Sequence, residues 1–338
     1  ADTYRRLSDG QIMKATVPLE TGEGSITTNI GAVRNTGIEL GLNLGVIRNK
    51  NFTWDVNLAF ARNWSKITEL PNGDDVSNNW FIGERLNVLR DYTSAGIITT
   101  DGITMRTKDG DRHYTLQEVY DTFGPGGQGL KWYEGQMAVN DWNNDGKIND
   151  EDKQIFGCTD PKWTGSLSST MTYKGFDFSF MLYTKQGQWS RSYFHEQYMN
   201  YGDRGRQKVN FDYYIPAGTP VLDKNTGDVT YLSEAHIGKY PYPNNTEKTG
   251  GGYFSSSSAA VRYHKTSFVK VKNITLGYTF PKAWLSKIAV KHLRLYVNVI
   301  NPFCFTDYEG FDPEWASANL TNGGPASVTY QIGANIKF

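Results

Sequence analysis

The residues best equipped for chemistry lie in one run, Asp141-Trp142-Asn143-Asn144-Asp145-Gly146-Lys147-Ile148-Asn149-Asp150-Glu151-Asp152. Side-chain oxygens fall at loop positions 1, 3, 5, 9 and 12, glycine at 6 and an apolar residue at 8. This is the EF-hand loop pattern with Asp in place of the closing Glu. A hard divalent cation takes about six to eight oxygens. Asp141, Asn143 and Asp145 would converge on it, Lys147 would offer its carbonyl, and Asp152 would close the shell. Calcium is the expected cofactor, and its role would be to stiffen a long loop rather than to catalyse. The alternative is a polar, Asx-rich turn without metal.

Other constellations are weak. His113, His195, His236, His264 and His292 make no HExxH or other ligand spacing, and no Gly-x-Ser-x-Gly elbow or phosphate-cradling glycine loop occurs. The glycines at 250–252 read as flexible loop. Carboxylates are scattered, and nothing pairs them for acid–base work. The chain is therefore expected not to be an enzyme. Lysines and arginines are equally dispersed, so nucleic acid is not an expected partner. Cys158 and Cys304 have neither metal spacing nor disulfide density. They are read as unpaired, with an oxidised pair left open. Trp189, Tyr193, Tyr198 and Tyr201 are weak candidates for substrate binding, because aromatic faces stack on sugar rings. They are equally readable as packing residues.

These residues must be held by strands. With 35 basic and 35 acidic residues the charge is balanced, while 14% aromatic content and 35 glycines suit a strand-rich chain. No stretch reaches the roughly 18 apolar residues of a membrane helix, and no signal-peptide pattern opens the chain. Period-two alternation is the strongest signal. Ile38, Leu40, Leu42, Leu44 and Val46 alternate with Gly37, Glu39, Gly41, Asn43 and Gly45. After the turn at 48–51 the pattern resumes with Phe52, Trp54, Val56, Leu58 and Phe60. A second hairpin turns at Lys174-Gly175, with Leu167, Met171 and Tyr173 answered by Phe176, Phe178, Phe180 and Leu182. A third sets Ile274, Leu276, Tyr278 and Phe280 before a turn at 281–287 and Leu293, Leu295, Val297 and Val299 after it. Tyr330, Ile332, Ala334, Ile336 and Phe338 form one face of the last strand.

A soluble β-sandwich also alternates. Against it stand strands of about ten residues, the length of a tilted membrane crossing, and aromatics at strand ends: Phe52, Trp64, Tyr173, Phe176, Trp284, Phe303 and Phe305. Short turns also alternate with long excursions at 18–36, 65–160, 184–266 and 301–327, as in outer-membrane barrels. The expected fold is all-β: an antiparallel transmembrane β-barrel portion of about eight strands with long extracellular loops. Residues 86–98 are assigned to an outer excursion rather than to an extra strand pair. The first strand, near Tyr4 to Val17, is irregular, and the chain looks truncated there.

Ordered motifs carry a resemblance. Asn35-Thr36-Gly37-Ile38-Glu39-Leu40 with Asn51-Phe52-Thr53-Trp54, then Asp160-Pro161-Lys162-Trp163-Thr164-Gly165, Tyr173-Lys174-Gly175-Phe176-Asp177 and Val271-Lys272-Asn273-Ile274-Thr275-Leu276-Gly277-Tyr278 resemble the C-terminal half of SusC/RagA-type TonB-dependent transporters. Asn301-Pro302-Phe303, Tyr308-Glu309-Gly310-Phe311-Asp312-Pro313-Glu314 and the terminal Phe338 continue the match. Cysteine at 158 and 304 departs from it. The resemblance implies that residues 1–338 are the C-terminal part of one 22-stranded barrel domain, with the 141–152 loop in an extracellular excursion. It further implies import of oligosaccharides or peptides across the cell outer membrane. The implied partners are a SusD-like surface lipoprotein acting as a lid, TonB–ExbB–ExbD through an N-terminal part not present here, and outer-membrane lipid. The competing reading is a self-contained eight-stranded anchor or adhesin.

Overall fold

A computed structural model describes the chain except residues 11, 17–24, 30, 125–132, 199–211, 224, 243–261, 287–288 and 318–325; side chains at 12–16, 25–29 and 196–198 are likewise outside the description. Eight strands make one antiparallel meander: β1 (Asp2–Ser8), β2 (Ala32–Arg48), β3 (Phe52–Glu69), β4 (Trp163–Tyr173), β5 (Phe176–Gln186), β6 (Phe268–Thr279), β7 (His292–Phe305) and β8 (Thr329–Lys337). Each pairs with its sequence neighbour in this set, and β1 and β8 do not pair with each other, so the sheet is open.

The alternation fixes which face is which. Leu42 lies opposite Leu58, Leu58 opposite Leu167, and Leu167 opposite Leu182, so the apolar positions form rows across the strands. That face is bare: Leu42 is 48% exposed, Leu276 52% and Ile332 87%. A row of large apolar side chains left this open requires an apolar surrounding, because burial of such surface stabilises by about 25 cal/mol per Å². One polar residue on this face, Ser169, is covered by Trp54, whose indole N–H donates to its hydroxyl at 3.0 Å.

The opposite face is polar and knitted across strands. Thr275 donates to Asn298 at 2.9 Å, and Asn298 donates to Gln331 at 3.0 Å. Arg294 grips Asp177 with two bonds of 2.9 and 2.5 Å, passing over Gly277 on the intervening strand. A Cβ there would meet both the guanidinium and the carboxylate at 2.6 Å, so glycine is required by the ion pair above it.

Aromatics mark the sheet's ends. At the short turns Phe52 meets Tyr173 at 6.5 Å, Phe176 meets Tyr278 at 4.6 Å, and Tyr278 continues through Phe280 at 5.0 Å to Trp284 at 6.3 Å. Trp64, Phe303 and Phe305 lie exposed at the other end. The thirteen residues from Phe52 to Trp64 span roughly 40 Å along the strand, or about 30 Å of height at a barrel tilt. This matches a bilayer's hydrocarbon core and its interfacial girdles.

Two expectations need adjustment. Strands of about ten residues were expected throughout, yet β2 and β3 run 17 and 18 residues. Their upper parts leave the membrane zone and enter the excursions, where Ile67 is fully buried. The irregular first strand divides: Gly10 at φ +59° ends it, β1 stops at Ser8, and Ile12–Thr16 pairs instead with Ser25–Asn29.

The excursions are folded. Val88–Asp91 pairs with Gln154–Cys158, Ser94–Ile97 with Met137–Val139, and Ile103–Thr107 with Gly110–Tyr114, all outside the main sheet. Residues 86–98 thus lie outside the main sheet, but they supply two short strands of their own, Val88–Asp91 and Ser94–Ile97, so the strand-forming alternative is the one observed. Helix α1 (Leu116–Phe123) begins with a capping box between Thr115 and Glu118. Ile98, Ile103, Met105, Tyr114, Val119 and Tyr133 form its core. A second cluster, Ile97, Met137, Tyr214 and Tyr240, joins this excursion to the next.

Candidate functional site

The 141–152 loop folds as an EF-hand-like turn. Glycine at its sixth position, Gly146, takes φ +77°, and Asn144 at the fourth takes φ +61°. Both are left-handed conformations that glycine and asparagine tolerate best. Asp141 accepts from the backbone N–H of Asp145 at 3.2 Å and of Gly146 at 2.9 Å. Asp152 accepts from Asn143 at 3.3 Å and Asn149 at 2.8 Å. First and last positions of the loop are thereby brought together, and both carboxylates are buried. Burial lifts the Asp152 carboxyl above its ordinary range, and the nearby Asp141 charge adds to this against the backbone N–H groups. No basic side chain among the described residues pairs with either. Asn143 accepts from Asp145 at 3.2 Å, and Asp145 accepts from Lys147 at 2.8 Å. Among the described residues no three Asp, Glu, His or Cys side chains form a metal-sized group by themselves. An ion here would therefore draw on the Asn143 amide and the Lys147 carbonyl as the loop pattern requires.

The aromatic candidates separate. Trp189 lies on Trp189–Arg191, which pairs with Tyr263–Lys265. It packs edge-on to Phe156 at 5.5 Å, carries the Lys265 ammonium 5.6 Å over its ring, and lies so close on Gly157 that a Cβ there would come within 2.7 Å. Tyr193 opens helix α2 (Tyr193–Tyr198) with the Arg191 guanidinium 5.2 Å above its ring. Tyr198 closes that helix, and Tyr201 lies outside the described residues.

Two arrangements escaped sequence reasoning. At the rim, a register shift after Val271 opposes Asn301, whose φ is +53°. Beside it Lys270 points inward, buried, and holds Asp312 at 3.0 and 2.8 Å and Glu314 at 2.5 Å; Lys272 also reaches Glu314, at 2.9 and 2.7 Å. Burial alone would raise the Glu314 carboxyl, but the two lysines hold it below its usual range. The second arrangement is a buried polar cluster. The Ser192 hydroxyl lies 2.6 Å from His195 Nδ1 and 2.6 Å from the Tyr308 hydroxyl. Tyr240 lies 3.3 Å from His195 Nε2 and donates to Glu309, which Lys239 also grips at 2.6 Å. His264 stacks on His195 with centroids 3.6 Å apart. Desolvation, with the neighbouring His264 and Lys239, lowers His195 to about 3. Ser192 and His195 are both closed to solvent, so the pair ties segments together and does not present a nucleophile. The motif at 308–314 supplies Tyr308, Glu309, Asp312 and Glu314 to these two clusters. Sequence reading noticed the motif but had no pattern that assigns partners scattered from residue 192 to residue 272. Cys158 is buried and Cys304 exposed, and both are free thiols.

The open meander with a lipid-type face, aromatic ends and folded outer excursions matches known proteins along its whole length. TonB-dependent receptor SusC of Bacteroides thetaiotaomicron is 28% identical over 340 residues, covering 100% of this chain and 30% of that protein. The chain resembles TonB-dependent receptors of the SusC/RagA type from end to end. TonB-dependent receptor P39 of Formosa agariphila is 27% identical over 366 residues, covering 100% of this chain and 33% of that protein. A solved structure of the RagAB peptide importer in its open-open state superposes with a TM-score of 0.64 at 20% identity, over 99% of this chain and 32% of that one. No protein-family profile matches the chain. The chain spans about a third of the length of these relatives and corresponds to their C-terminal part. The sheet is a portion of an outer-membrane β-barrel wall. Among the described residues no helix is long and apolar enough to cross a membrane. The matched proteins are receptors and importers, not enzymes.

Proposed function

We propose that this chain is the C-terminal wall and outer-loop region of an importer that carries oligosaccharides or peptides across the outer membrane. It would draw energy from TonB–ExbB–ExbD and work with a SusD-like surface lipoprotein. The observation that carries this reading is the open eight-stranded sheet itself, apolar outside and polar inside. Unpaired strand edges in lipid are very costly, so β1 and β8 call for further strands of the same wall, to a total of 22. A self-contained eight-stranded anchor would need β1 and β8 to pair, and in the described sheet they do not. The reading is tested by accumulation of labelled oligosaccharides or peptides in cells carrying or lacking the full-length gene. Uptake that requires the gene and collapses with a protonophore is expected; gene-dependent uptake that survives the protonophore overturns it.

We further propose that the 141–152 loop binds calcium through Asp141, Asn143, Asp145, the Lys147 carbonyl and Asp152. Support comes from two buried carboxylates at the loop's first and last positions without a cationic partner, an arrangement that is costly unless neutralised. The ion would supply charge compensation and rigidity to the outer excursion. Calorimetric titration of the calcium-stripped protein tests this, with binding expected in the wild type and abolished in Asp141→Ala.

A further inference from the structure

The hairpin Ile103–Thr107/Gly110–Tyr114 has two unlike faces. Ile103, Met105 and Tyr114 enter the excursion's core, while Thr104, Arg106 and Asp111 line a cavity of about 450 Å³. The far walls are Trp142, from the second position of the metal loop, and Gln154 and Phe156, which follow its last position. Asn140, the residue before that loop, is fully used in holding the walls: it accepts from Arg106 N–H at 2.8 Å and donates to the Thr93 hydroxyl at 2.8 Å. The groups facing the cavity are not used in this way. Among the described residues no ion pair or hydrogen bond engages the Arg106 guanidinium, the Asp111 carboxylate or the Trp142 indole N–H.

We propose that this cavity binds a neutral saccharide of one or two rings. The inference rests on the import reading and narrows its substrate class. Arg106 and Asp111 are direct cross-strand partners, so their Cβ atoms lie about 5 Å apart. Their fields nearly cancel in the cavity. A single charged peptide terminus placed there would meet one attractive and one repulsive charge at similar range, which gains little; a free dipeptide gains only in a pose that sets both termini on their opposite charges at once. A neutral polyol uses both groups fully, because the guanidinium donates to ring and hydroxyl oxygens and the carboxylate accepts from hydroxyls. The Trp142 indole adds an N–H donor and an apolar ring face. The cavity falls in the size range of small-ligand sites. Because Asp141 and Asp152 are joined through the loop, fixing that loop fixes the separation of Trp142 from Gln154. Ligand affinity should therefore rise with calcium.

The test uses the full-length protein in detergent with maltose, cellobiose and the dipeptide Ala-Ala as probes, read by saturation-transfer NMR and titrated for affinity. At least one disaccharide is expected to bind, with affinity falling about tenfold or more in Arg106→Ala, Asp111→Asn and Trp142→Ala. These side chains lie at the surface of the cavity, so unchanged thermal unfolding serves as the folding control. The proposal is overturned if neither disaccharide binds, if binding is unaltered in all three variants, or if Ala-Ala alone binds in an Arg106-dependent way. Energised uptake is measured separately. A failure of the import reading removes gene-dependent uptake in the wild type, whereas a failure of this site leaves uptake intact and equal in the variants.

Discussion

The sheet and the excursion that follows β3 use the same apolar side chains in opposite senses. In the sheet Leu42, Leu276 and Ile332 point away from the chain and are bare. In the excursion Ile98, Met105 and Val119 point inward and are closed to solvent. The difference lies in the solvent each part meets. A wall between lipid and an aqueous lumen needs no core of its own and is held by its strand ladder and by lumen-side bonds such as Arg294–Asp177. An excursion in water must build a core, and it does so with short strands, a capped helix and aromatic packing. The Lys270 clamp stands where the two regimes join.

Breaking that junction should have the largest effect. Lys270→Ala leaves Asp312 and Glu314 without their buried cation and is expected to cost about 3–5 kcal/mol, since removing one partner strands the other's charge. Lys270→Met with Asp312→Leu together should cost much less. Equilibrium unfolding of the full-length protein in detergent measures both; equal losses would mean that the clamp acts through packing.

The contrast of faces is sharpened by paired charges on neighbouring residues. Leu42→Arg, midway across the sheet, should cost about 2–4 kcal/mol, whereas Asn43→Arg on the lumen side should cost little. Similar values for the two would contradict the assignment of faces.

In the excursion, calcium and pH should act together. The Asp152 carboxyl is raised by burial, so the ion-free loop is most stable with that group protonated and loses stability as pH rises through its folded value. Added calcium should restore the loss, and its affinity should fall as pH is lowered and protons compete for the same oxygens. An affinity independent of pH would argue against Asp152 as a ligand.

The smallest effect is expected at the histidine cluster. His195 is held neutral, lowered from 6.5 to about 3. Its contribution is present above its unfolded value and is lost as pH falls from 6.5 toward 3. Hydrogen exchange in α2 should accelerate across that window in the wild type and not in His195→Gln.

The sheet was legible because period two is imposed residue by residue: Ile38 to Val46 against Gly37 to Gly45 states both faces of β2 without reference to any partner. The eight strands, their turns and the aromatic ends follow from that rule. The turn at 141–152 was legible for a similar reason, since its groups lie within twelve consecutive positions. The clamp, the histidine cluster and the saccharide cavity were not. Lys270 and Asp312 are 42 residues apart, and Ser192 and Tyr308 are 116. Nothing in either local pattern encodes such a meeting. The upper ends of β2 and β3 were missed because their alternation weakens where they leave lipid and pack against the excursions.

The most direct test of the central claim is the intact mass of the membrane-extracted polypeptide that contains this sequence. A portion of a large barrel wall predicts a mass about three times 38.1 kDa, in line with the third of each relative that this chain matches. A polypeptide of 38.1 kDa with no companion chain completing the sheet would contradict it.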